Sequence, residues 1–102
     1  MATLTHLPET STLAEACRRF RARKLSLFGS AARGEMRDDS DIDLLVEFLP
    51  DAHPSYFSLV EFSEALETIF GGAHRVDLVL EADLHPLIRR HVLPDLITLY
   101  EG

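Results

Sequence analysis

Apolar and polar positions alternate most cleanly from Asp41 to Phe48. Ile42, Leu44, Val46 and Phe48 fall on one side, and Asp41, Asp43, Leu45 and Glu47 on the other, which is the period of a half-buried strand. Lys24-Leu25-Ser26-Leu27-Phe28 alternates in the same way, with Leu25 and Leu27 together, and stops at Gly29. Arg75 to Leu80 predicts a third strand: Val76, Leu78 and Leu80 share a face, and Asp77 is the only charge in an apolar run. Leu96 to Tyr100 predicts a short fourth.

Helical spacing appears between these runs. Leu13, Cys17 and Phe20 predict a helix from Thr12 to about Arg23, and Thr12-Leu13-Ala14-Glu15 has the spacing of a capping box. Ser55 can cap a helix reaching about Phe70, with Leu59, Phe62, Leu66, Ile69 and Phe70 on one stripe. Glu61, Glu64 and Glu67 are expected to point away, and Gly71-Gly72 to end it. Pro86 suits the first position of a short helix reaching His91 or Val92, which Pro94 breaks. Gly29 to Glu35 is small and polar and predicts a tight turn opening a short helix, with Gly34 near its C-cap; Met36 to Ser40 reads as a charged loop. The order of elements predicts an α/β (α+β) fold, a small mixed sheet covered by helices, as one domain over residues 1–102.

Composition narrows the class. The 102 residues hold 10 Lys+Arg against 17 Asp+Glu, a net charge of −7, so a general nucleic-acid coat is not expected. At 46% apolar and 26% charged, the chain reads as globular. No apolar run is long enough for a bilayer, and the start lacks the pattern of a signal peptide, so no membrane association is expected. Cys17 is alone, which excludes an internal disulfide and makes a reducing cytoplasm the plain expectation. Five basic residues (Arg18, Arg19, Arg21, Arg23, Lys24) against Glu9 and Glu15 make residues 1–24 basic on an acidic body. That segment reads either as a docking surface or as a solvated helix face.

Candidate chemistry lies around Gly29-Ser30 and Asp41-Ile42-Asp43. Two residues apart on a strand, Asp41 and Asp43 project from one face, roughly 6–7 Å from each other. Carboxylates so placed repel unless a cation lies between them, and Mg²⁺ takes one or two carboxylates plus phosphate oxygens. A strand that ends in Gly-Ser and turns into a helix aims amide N–H groups at one point, a phosphate site to which the Ser30 hydroxyl adds a donor. Arg33, one turn on, can reach a phosphate oxygen with its fork. Asp77, if a neighbouring strand brings it onto the same face, is a further metal ligand or the base for an attacking hydroxyl; alone, it reads equally as an exposed strand residue. His6, His53, His74, His85 and His91 are scattered, without zinc-ligand spacing. There is no P-loop motif and no set resembling a Ser-His-Asp triad.

Leu27-Phe28-Gly29-Ser30-Ala31-Ala32-Arg33-Gly34 followed by Ser40-Asp41-Ile42-Asp43-Leu44-Leu45-Val46 resembles the G-S-x₁₀-D-x-D signature of the DNA polymerase β-like nucleotidyltransferase superfamily. The short chain, the Arg75-Val76-Asp77-Leu78-Val79 strand and the Pro86 to Tyr100 ending resemble its minimal nucleotidyltransferase (MNT) branch. The resemblance covers about residues 12–100 and implies the palm-like fold of that superfamily. By motif position it implies that Gly29 and Ser30 hold a triphosphate, that Asp41 and Asp43 hold Mg²⁺ (two ions, or Mn²⁺ in their place), and that Asp77 is the third carboxylate. Arg33 fits the family's A-R-G run. The resemblance further implies an antitoxin that transfers AMP from ATP to a tyrosine of a HEPN-domain ribonuclease toxin. Two other readings stand beside it. One is a non-catalytic module that blocks the toxin by contact, and the other is a transferase acting on a small molecule or an RNA end. The intact Gly-Ser and three aspartates favour catalysis, since a pure binder need not retain them.

Overall fold

The computed structural model describes residues 7–102; His6 lies outside the described residues. The elements are α1 (Thr10–Arg19), β1 (Ala22–Phe28), α2 (Gly29–Arg33), β2 (Ile42–Phe48), α3 (Tyr56–Ile69), β3 (Val76–Leu80), α4 (Pro86–Val92) and β4 (Ile97–Glu101). Short 3₁₀ turns at Glu81–Asp83 and Leu93–Asp95 flank α4. The strands form one mixed sheet in the order β3-β2-β1-β4. β1 is antiparallel to both β2 and β4, whereas β2 and β3 are parallel. A parallel pair needs a crossover, and α3 supplies it. No helix among the described residues is long and apolar enough to cross a membrane.

The alternation expected for β1 and β2 decides which face is the core. Leu25 and Leu27 pair with Val46 and Leu44 across the two central strands. With Ile42 they pack against Leu13 and Cys17 of α1 and Phe62 and Leu66 of α3. The Phe20 ring stacks on Phe62 at 4.8 Å between centroids, closing the gap between α1 and α3. Burial pushes the Cys17 thiol up to about 12, so it stays neutral and serves as packing. The opposite face carries Ser26, Leu45, Asp43 and Asp77, one residue out of phase with the core positions. Leu93, Leu96 and Arg89 partly roof its Ser26–Leu45 region over a cavity of about 110 Å³.

Caps form where the sequence placed them at Ser55, whose hydroxyl accepts from the Ser58 amide at 3.1 Å, and at Gly34, left-handed at φ 71°. The first helix differs from expectation at both ends. It begins at Thr10, and the Thr12 and Leu13 amides both donate to the Glu9 carbonyl, so Thr12 lies inside the helix and no capping box forms. It ends at Arg19, because Ala22 already pairs with Phe48 in the sheet. Arg21 turns the chain between them in the left-handed region at φ 64°. The basic segment is thereby split among helix, turn and strand. Arg21 meets Asp51 at 2.7 Å, and Arg23 forms a two-pronged pair with Glu47, 3.1 Å at each prong. Among the described residues, two of its five charges thus have carboxylate partners.

Candidate active site

β1 ends at Phe28, directly opposite Asp43 of β2. The next residue, Gly29, turns the chain back over that carboxylate with φ 69°, a conformation L side chains rarely adopt. A Cβ here would collide with Asp43 Oδ2 and lie 3.2 Å from its Cγ, so glycine is favoured on two counts. α2 starts at Gly29, and Phe28 ahead of it provides no side-chain cap. The first-turn amides therefore have no side-chain cap as acceptor. With only five residues, α2 has a small dipole, so any anion binding here rests on those N–H groups and on the Ser30 hydroxyl.

Asp41 and Asp43 enter on the other side. Asp43 is half-buried in β2, while Asp41 lies just before the strand and is exposed. The parallel register sets Asp43 beside Asp77 of β3. Burial pushes the Asp43 carboxyl up, Asp77 and Asp41 add in the same direction, and Arg33 opposes them. The charges of Asp77, Asp41 and Arg33 are thus all felt at Asp43. Arg33 itself is held by Glu35 at 3.1 Å and Asp95 at 3.6 Å, which fixes its guanidinium beside the site.

The donor set is entirely oxygen, and Asp43 is oppressed by its like-charged neighbours, both of which suit a hard cation. Among the described residues no three His, Cys, Asp or Glu side chains converge on one point. The residues thus fit an ion that takes one or two carboxylates and draws its other oxygens from substrate, as Mg²⁺ does, and not a closed protein cage.

Three side chains near the site were not expected there. Met36, at the head of what reads as a charged loop, is 1% exposed and anchors that loop in the core; a lone apolar residue in a charged stretch was the available signal. His74 donates from Nδ1 to the Ser40 carbonyl at 2.8 Å, and the Ile42 amide donates to the Arg75 carbonyl at 2.8 Å. These two bonds tie the turn carrying Asp41 to the start of β3. Glu67 does not point away. Its Oε2 accepts from the Val76 amide at 3.3 Å, because Gly71-Gly72 return the chain under the end of α3.

A glycine turn packed against Asp43, with Asp77 paired beside it and Asp41 two residues away, has the composition expected of a phosphate-handling site of the type nucleotidyl transfer uses. The chain belongs to the nucleotidyltransferase domain family, whose match spans residues 10–98. Its relatives include the protein adenylyltransferase MntA of Thermococcus cleftensis, 40% identical over 79 residues, 78% of this chain and 76% of that protein. A solved toxin–antitoxin structure with AMP-PNP superposes with a TM-score of 0.71 at 20% identity, over 92% of this chain and 74% of that one. A structure of a tri-AMPylated HEPN toxin of Shewanella oneidensis with its MNT antitoxin gives 0.62 at 18% identity, over 91% and 70%. At such identities the two structures establish the shared fold. The chain is accordingly a nucleotidyltransferase with the palm-like α/β architecture expected from its motif.

Proposed function

We propose that this protein is an antitoxin that transfers AMP from ATP to a tyrosine of a HEPN-domain toxin. The observation that carries the reading is the parallel register that sets Asp77 beside Asp43, next to the Gly29 turn. Support for a protein acceptor comes from relatives named protein adenylyltransferases, and support for ATP and a toxin comes from the two toxin–antitoxin structures. A nucleotide donor and a lone buried thiol suit a cytoplasmic site of action.

In this reading the amides at Gly29 and Ser30, with the Ser30 hydroxyl, hold the outer phosphates and receive the charge that develops on departing pyrophosphate. Asp41 and Asp43 would hold Mg²⁺ or Mn²⁺, which supplies charge neutralisation at the phosphates. Arg33 offers a further contact to a phosphate oxygen. Asp77 accepts the proton of the tyrosine hydroxyl. The phenolic oxygen then forms a bond to the α-phosphorus, and the bond from that phosphorus to the bridging oxygen breaks. The products are AMP on the tyrosine and pyrophosphate, and the proton on Asp77 returns to solvent.

The test mixes the protein with its HEPN partner, ATP and Mg²⁺ and weighs the partner by mass spectrometry. Whole adenylate increments on a tyrosine are expected from wild type and none from Asp77→Asn. That variant should still bind the toxin, since an interface far exceeds one carboxylate. If it protects cells as well as wild type and no adenylate appears on the partner, neutralisation is by contact and the transfer reading fails.

A further inference from the structure

An open groove of about 910 Å³ lies between α3 and β3, and Asp41 and Asp77 are among the residues that line it. One wall is the helical stripe Tyr56, Val60, Ser63 and Glu67, and the other is β3 from Arg75 onward. Asp43 and Gly29 are not among its lining residues, so the groove meets the site on the Asp41 and Asp77 side. We infer that this groove is the track of the acceptor, and that its occupant is a positively charged, extended segment of a protein. The hydroxyl delivered at Asp77 rests on the transfer reading above; the groove and its charge do not.

Four acidic residues line the groove, Asp41, Glu64, Glu67 and Asp77, against one basic residue, Arg75. Such a surface repels a phosphodiester backbone and attracts Lys and Arg. β3 is an outer strand, but Glu67 already accepts from the Val76 amide, so pairing of backbones is blocked where the strand begins and side-chain charge must do the selecting. The stripe from Tyr56 to Glu67 is about 16 Å long, room for about five extended residues. At its far end Tyr56 and Phe57 are 75% and 77% exposed, large aromatic surface suited to anchor an apolar residue of the partner.

The experiment uses the full chain and two labelled nine-residue peptides, each with a central tyrosine, one flanked by Lys and Arg and one by Glu. Fluorescence polarisation at low salt should show the basic peptide bound and the acidic one not. Glu64→Lys should weaken binding about fivefold or more, and salt should do the same. Glu61→Lys makes the same charge change on α3 outside the groove and should alter affinity less than about twofold. Equal affinity for both peptides, no binding of the basic one, indifference to Glu64→Lys, or displacement by a single-stranded RNA oligonucleotide would each overturn the assignment. Transfer to the same peptide, followed in parallel by mass, separates the two readings. Charge-selective binding without adenylate rejects transfer and keeps the groove, while transfer indifferent to Glu64→Lys rejects the groove and keeps transfer.

Discussion

Gly29→Ala tests the tightest geometric claim about the site. Two costs arise at once. Alanine held at the φ of 69° found here loses roughly 1–2 kcal/mol against an ordinary backbone. Its methyl also meets Asp43 Oδ2, with Cγ 3.2 Å away, so the carboxylate must leave its rotamer at a cost of about 0.5–1.5 kcal/mol. Together these predict a loss of about 2–3 kcal/mol, or roughly 10–20 °C in Tm for a domain of this size. Urea titration should show the midpoint shifted with an unchanged slope, since the fold is kept. The two costs can be separated in an Asp43→Ala background, where the collision is gone and the backbone term alone remains. There the same substitution should cost about 1 kcal/mol less. A Gly29→Ala protein within about 0.5 kcal/mol of wild type, or an identical cost in both backgrounds, would refute the close approach of turn and carboxylate. Transfer should fall further than stability, because moving Asp43 by about 1 Å is enough for a loss on the order of 100-fold.

Asp43 is easier to protonate folded than unfolded, so its contribution to stability is present at low pH and is lost as pH rises through the folded-state pKa. Asp43→Asn should therefore be more stable than wild type at neutral pH, with the difference closing in acid; equal pH dependence in urea titrations would contradict the like-charge cluster. His74→Ala removes the bond to the Ser40 carbonyl and should cost about 1 kcal/mol and about tenfold in kcat, as the turn carrying Asp41 loosens. His74→Asn keeps a donor near Nδ1 and should restore most of both; failure of that rescue would remove the positioning role.

Local signals in the sequence were sufficient wherever one residue's chemistry decides a local event. Gly34 and Ser55 cap the helices they were expected to cap, and the alternation of β2 places Ile42, Leu44 and Val46 in the core. The pairing of Asp43 with Asp77 could be imagined from the sequence but not fixed, since parallel register depends on how α3 crosses the sheet. The errors share a cause in tertiary competition. Sheet pairing at Ala22 stopped a helix that apolar spacing would have prolonged. A backbone amide at Val76 drew Glu67 inward from a face that periodicity made polar. The His74 link to Ser40 joins segments far apart in the chain, and nothing near either residue announces it.

The parallel pairing of β2 with β3 also implies an order of assembly, since contacts close in the chain are expected to form first. β1 and β2 are neighbours in the chain and can close on one another soon after both exist, bringing Gly29, Ser30, Asp41 and Asp43 together. Asp77 is expected to join later, since its pairing with Asp43 needs the longer closure across α3. On the transfer reading, a chain made as far as Phe48 would already have the residues proposed to grip a nucleotide but would lack the proposed base, Asp77. On that reading reactivity would arrive only with the pairing of β3 onto β2, and an unfinished chain would have no base with which to place adenylate on the hydroxyls around it.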